Sequence, residues 1–192
     1  MDALYANLER FSGLSAKNIQ LFCTAAISIK VKKDNYLLKE GIICKDIWFI
    51  VKGYCRSFYL HDGREINTAF NFENSYVTDI KSLRLELPAE SSIVAAEDGL
   101  LYKFTKQKML DIYKESKEIV EFGKKLIEQL LINEQENTNL FRLYSAEERY
   151  TYLLRNNPAI IQRVPLNQLA SYLGMARETL SRMRKMKGKK QK

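Results

Sequence analysis

Apolar residues change their spacing twice along this chain. From residue 2 to 25 they recur at helical intervals, with Leu4, Leu8, Phe11 and Leu14 on one side, and Ser15 stands as the cap of a second helix over AKNIQLFCTAA. From Ile27 to Phe104 the pattern becomes alternation, visible in ISIKVKK and CRSFYLHDGREINTAF, and β-branched and aromatic residues dominate. Turn signals at Asp34-Asn35, Gly41, Gly53, Asp62-Gly63 and Asp98-Gly99 divide this region into short strands, which predicts a compact antiparallel barrel or roll. Asp62-Gly63, set between two strand-like runs, is the best hairpin signal among them.

After Lys106 the helical period returns. KQKMLDIYK predicts a short helix, and a long one follows from about Ser116 to Leu143, with Ile119, Phe122, Leu126, Leu130, Asn133, Asn137 and Leu140 at three-four spacing. That stripe reads either as a dimer seam whose asparagines set register or as the inner face of a helix packed on its own domain. Ser145-Ala-Glu-Glu148 is a capping box that starts another helix, and Asn156-Asn157-Pro158 stops it.

The segment PLNQLASYLGMARETLSRMR, Pro165 to Arg184, reads as a helix-turn-helix. Leu166, Leu169, Ala170 and Leu173 follow helical spacing, and Gly174 supplies the positive φ at the turn. A second run then carries Leu180 and Met183 on one face. Leu169, Leu173, Met175, Leu180 and Met183 would form a small core, with Ala170 small where the helices cross. Arg177, Glu178, Ser181, Arg182 and Lys185 are left facing outward.

Charge sharpens this reading. Residues 163–192 hold nine Lys or Arg and one acid, 9 − 1 = +8, whereas the other 162 residues hold 22 of each sign, so the whole formal charge of +8 lies beside the helix-turn-helix. A basic end of this kind is the footprint of a polyanion binder, although Lys187 to Lys192 alone read equally well as a solubilising tail. The rest of the composition is that of a soluble globular protein. There is no apolar run long enough to cross a bilayer and no basic-then-apolar signal in MDALYANLERF, so a cytoplasmic location is expected. Cys23, Cys44 and Cys55 lack metal-ligand spacing and read as buried thiols, with redox sensing as the alternative.

The order of roll, long helix and helix-turn-helix, together with Arg177-Glu178-Thr179-Leu180-Ser181-Arg182, Gly174 and Ile47-Trp48-Phe49-Ile50-Val51-Lys52-Gly53, resembles the Crp/Fnr family of bacterial transcription regulators. The resemblance covers nearly the whole chain. It implies an α+β fold: a β-roll like that of cyclic-nucleotide-binding proteins with flanking helices over 1–115, a long dimerisation helix over 116–143, and a helix-turn-helix domain with a basic tail over 144–192. It further implies a homodimer on double-stranded DNA. Arg177 and Arg182 would donate to guanine and Glu178 would accept from cytosine. Thr179, Ser181, Arg184 and Lys185 would meet the DNA backbone.

Three departures qualify the resemblance. The Gly-Glu pair of the cyclic-AMP cassette falls on Thr78-Asp79, and the Arg that neutralises the cyclic phosphate falls on Ala89 or Glu90, with Arg84 nearby. A carboxylate where a guanidinium is needed repels phosphate, so a response to cyclic AMP is not expected. Ala176 also replaces a capping Ser at the start of the second helix, and a basic tail stands where many relatives have a β-hairpin.

A DNA-binding transcriptional regulator is the leading expectation, with a possible contact to RNA polymerase. The alternative is a sensor in which an unidentified small molecule in the roll gates DNA binding. An enzyme is the poorest reading: His61 sits at a hairpin tip, Glu73, Asp79, Glu90, Glu97 and Asp98 are scattered, and no nucleophile, phosphate-loop or metal motif is present. Neither a catalytic residue, a metal nor a cofactor is expected.

Overall fold

The structure, a computed structural model, describes residues 2–188. The side chains of Phe11 and Lys187 and the lysines from Lys189 onward lie outside what is described, so those expectations are not addressed below. The chain divides into two units: the first comprises residues 1–57 and 70–130, the second 58–69 and 131–192.

The first unit opens with α1 (Asp2–Ser12) and α2 (Ala16–Thr24), which bury Leu4, Leu8, Ile19 and Phe22. Ser15 occupies the N-cap position of α2 without capping it. Its amide and hydroxyl both donate to Glu118, at 3.0 and 2.9 Å, and Asn18 donates to the same carboxylate at 2.6 Å. A negative charge with three local donors outcompetes the neutral helix cap expected from the sequence.

Short antiparallel strands follow, as the alternation predicts. One sheet has the order β1-β8-β3-β6, from β1 (Ile27–Val31), β8 (Gly99–Thr105), β3 (Asp46–Lys52) and β6 (Tyr76–Val77). The other has the order β2-β7-β4-β5, from β2 (Tyr36–Leu38), β7 (Ser92–Ala95), β4 (Cys55–His61) and β5 (Arg64–Asn71). Register is set by the apolar pattern: Ile29 pairs with Leu101, and Ile47 with Phe104. The roll is filled by Leu38, Trp48, Ile50, Cys55, Val77, Leu83, Ile93 and Leu101.

A second apolar cluster joins the roll to its helices. Phe22 packs against Phe104 at 4.8 Å and edge-on against Phe122 at 5.2 Å. Each ring of this size contributes roughly 1.5–3 kcal/mol by leaving water. Phe122 belongs to α5 (Lys117–Leu143), which follows α4 (Lys106–Glu115). Ile119 and Leu126 lie in the same cluster. The α5 stripe is therefore buried in the chain's own core at these positions, and the own-domain reading of that stripe holds there.

In the second unit Asp62 and Gly63 both take positive φ, 49° and 72°, as a tight hairpin turn with the twist of its strands requires. Ser145 caps α6 (Ala146–Asn156) through the full reciprocal box with Glu148. Pro158 ends α6 as expected and also begins α7 (Pro158–Arg163), where its missing N–H is harmless. α8 (Leu166–Leu173) and α9 (Arg177–Gly188) complete the unit.

Candidate nucleic-acid interface

The turn between α8 and α9 closes as Gly174 allows. Gly174 is left-handed, at φ 67° and ψ 40°, its amide donates to the Ser171 carbonyl at 3.2 Å, and the Met175 amide donates to Ala170 at 3.0 Å. This paired arrangement satisfies helix-end carbonyls that would otherwise lack donors. Leu169, Ala170, Leu173 and Leu180 are buried between the helices, while Met175 and Met183 are half-buried. Beside the turn, the Arg149 guanidinium stacks on the Phe141 ring at 4.7 Å, and a Cβ added to Gly174 would lie 3.9 Å from both of its terminal nitrogens.

The start of α9 lacks a side-chain cap, since Ala176 contributes only its carbonyl, to Leu180 at 3.1 Å. Positions 177, 178, 181, 182 and 185 share one helical face. Arg177, Glu178, Arg182 and Lys185 are exposed there, and Ser181 and Thr179 are half-exposed. Arg184 differs from its neighbours: it is half-buried and donates to the Ile161 carbonyl at 2.7 Å, so part of its fork is taken up in tying α9 to α7. The result is a rigid helix presenting two guanidiniums, a carboxylate and an ammonium on one face. Such a set can pair with base edges and phosphates.

The residues aligned with the cyclic-nucleotide cassette lie in the first unit and have other partners. Asp79 caps α3 (Ile80–Leu85), a short helix the sequence did not announce, by accepting from the Ser82 amide at 2.8 Å. Its carboxylate thus occupies the position in which a helix start would receive an anion. The Thr78 hydroxyl donates to the Asp46 carbonyl at 2.9 Å. Ala89 is buried and bridges the main chain at Gly41 and Ile42, and Glu90 pairs with Lys81. Arg84 lies exposed in the last turn of α3.

Other candidate groups have local partners. Glu73 accepts from the Gly53 amide at 2.8 Å, and Asp98 accepts from Lys32 and the Lys33 amide, which hold its carboxyl below the usual range. His61 is exposed at the hairpin tip, 3.7 Å from Asp62. Cys23, Cys44 and Cys55 are buried free thiols, and burial pushes Cys55 up to about 12, which disfavours the reactive thiolate. Among the described residues no helix is long and apolar enough to cross a membrane.

Residues 28–116 match the cyclic nucleotide-binding domain family. No curated protein is similar enough in sequence to match the chain. Among solved structures, FixK2 from Bradyrhizobium japonicum is similar at a TM-score of 0.68 and 18% identity, over 86% of this chain and 85% of its own. A Crp/Fnr-family transcriptional regulator from Eubacterium rectale is similar at 0.66 and 20%, over 93% and 85%. The Thermus thermophilus catabolite activator protein follows at 0.59 and 20%, over 94% and 86%. At such identities the likeness establishes the fold alone. Residues 28–116 are thus similar to the cyclic nucleotide-binding domain family, and the chain has the fold seen in FixK2 and in the Eubacterium rectale regulator.

Proposed function

We propose that this chain is a sequence-specific regulator of transcription that reads double-stranded DNA as a homodimer in the cytoplasm, and that it does not answer to cyclic AMP. The observation that carries the reading is the face of α9, where Arg177, Glu178, Arg182 and Lys185 stand exposed on a helix locked by Gly174 and by the buried Leu169, Leu173 and Leu180. In this reading Arg177 and Arg182 donate to guanine, Glu178 accepts from cytosine, and Thr179, Ser181 and Lys185 meet phosphates. Residues 1–115 serve as the sensor-like part, 116–143 as the dimerisation helix and 144–192 as the DNA-reading part. Leu131 and Ile132, 58% and 49% exposed on α5, are among the apolar positions left for the partner helix.

The cassette supports the second half of the proposal. Asp79 takes up the start of α3, and neither Ala89 nor the Lys81-paired Glu90 supplies a guanidinium. Cyclic AMP should leave the thermal midpoint unchanged at concentrations that saturate a nucleotide-binding relative. DNA reading is tested by selecting bound sequences from a random duplex pool, wild type beside Arg182→Ala. A palindromic motif that blurs at one position of each half in the variant supports it. Absence of any motif from the wild type overturns it.

A further inference from the structure

In the first unit, one charged side chain breaks the apolar inner face of the roll. On β8 the residues alternate: Tyr102 and Phe104 pack with the helices, while Leu101 belongs to the core of the roll. Lys103 falls on the Leu101 side. The ladder agrees, since Lys103 lies opposite Trp48 on β3 and opposite Ile27 on β1, and opposed residues share a face. Trp48 is itself a core residue, 3% exposed. An ammonium set between two large apolar side chains departs from the pattern that builds the roll.

Lys103 has a counter-charge, but a loose one. Its Nζ stands 3.8 Å from Asp46 Oδ2, beyond hydrogen-bonding distance, and the two side chains are only 31% and 24% exposed. Burial holds the Asp46 carboxyl above its ordinary value, with Lys103 and Lys45 offsetting only part of the lost water. Both charges line a cleft of about 550 Å³ between β1, β3 and β8 on one side and β2 on the other. Trp48, Ile29 and Val31 give it apolar walls, and the exposed Tyr36 lines it with the Lys39 ammonium 5.0 Å from its ring centre. Small-molecule sites have this character, roughly 300–1,000 Å³ of apolar lining with a few placed polar groups. Among the described residues, none of the 78–90 loop lines the cleft, so it is separate from the residues aligned with the cassette.

The two charges select the ligand. A simple anion would meet Lys103 but be repelled by Asp46, and a simple cation would meet the reverse. A zwitterion answers both and brings no net charge into a half-buried place. We propose that this cleft binds a free α-amino acid with an apolar side chain, its carboxylate on Lys103, its ammonium on Asp46 and its side chain against Trp48 and Ile29. The three donors of Lys103 suit a carboxylate, and charge-assisted hydrogen bonds on both sides would replace the stretched ion pair.

Trp48 is the chain's one tryptophan, so its emission, excited beyond the tyrosine band, reports on this cleft directly. Titrated into the full chain, at least one of L-valine, L-leucine, L-isoleucine, L-methionine and L-phenylalanine should change that emission saturably at millimolar concentration or below. The amine and the carboxylic acid that share its side chain should each bind about tenfold more weakly, since each leaves one charge unanswered. Asp46→Asn and Lys103→Met, both close in size to the originals, should each lose about tenfold for the amino acid, while Asp46→Asn binds the acid no more weakly than wild type does. No saturable change from any of the five overturns the site, and undiminished affinity in both variants places the ligand elsewhere and overturns it too. Equal binding of the amino acid and its acid or amine overturns the zwitterionic pairing. That comparison needs only the wild-type chain, so it decides the matter even where a variant fails to fold.

Discussion

The loop at residues 78–90 and the helix face at residues 177–185 treat their polar groups in opposite ways. In the loop, Asp79 binds the Ser82 amide, Thr78 binds the Asp46 carbonyl, and Glu90 binds Lys81. On the helix, Arg177, Glu178, Arg182 and Lys185 remain exposed, while only Arg184 turns inward to Ile161. A site whose donors and acceptors are already satisfied has little left to offer a ligand. A rigid surface with exposed charge has a great deal, because pre-placed groups bind without the cost of ordering them.

The contrast can be broken most severely from beneath the helix. Leu169→Ala removes a fully buried side chain between α8 and α9 and should cost about 2–5 kcal/mol, read as a lower denaturation midpoint together with loss of DNA retention. Retained DNA affinity with an unchanged midpoint would mean that the pair is not the scaffold of the reading face. Arg182→Ala should cost about 1–3 kcal/mol of discrimination at one base position and leave the midpoint almost unmoved. Arg184→Ala should do the reverse, lowering stability with little change in the preferred sequence; a matching specificity change in both variants would erase the division between them.

Asp79→Ala probes the other side of the comparison. It removes the cap of α3 and should destabilise by about 0.5–2 kcal/mol without conferring cyclic-AMP binding, because no guanidinium replaces Ala89 or Glu90. A thermal shift of that variant by cyclic AMP would mean that Asp79 alone had closed the site.

The smallest effect concerns pH. Glu118 is held below the ordinary carboxylate value by the Ser15 amide first, then by the Asn18 amide group and the Ser15 hydroxyl. A depressed carboxyl contributes stability above its unfolded value, about 4.3, and loses that contribution as pH falls through its folded value. Midpoints measured from neutral to strongly acid conditions should show Glu118→Gln below wild type near pH 6, with the gap narrowing at low pH. A gap of constant size would remove the linkage.

Local chemistry was legible wherever one residue type has one use. Gly174 marked a left-handed turn, Asp62-Gly63 a tight hairpin, and Ser145 with Glu148 a capping box, each a matter of backbone sterics or hydrogen bonds within four residues. The short α3 and α7 went unannounced because six residues carry too little periodicity to stand out. Ser15 misled for a different reason: its local cap competes with Glu118, 103 residues away. The α5 stripe was ambiguous in principle. Ile119, Phe122 and Leu126 show the same spacing whether their neighbours come from another chain or from their own.

The sequence by itself determined the alternation that makes a roll, the helix-turn-helix and the location of the +8 charge. These depend on neighbours in the chain, on period and on composition. Only the tertiary structure decided which face of α5 is covered, that Asp79 and Glu90 have partners of their own, and that Lys103 stands beside Trp48 and Asp46. A hydroxyl or carboxylate carries no mark of its partner when that partner arrives from a distant part of the chain. Packing brings the two together, and packing is a property of the fold as a whole.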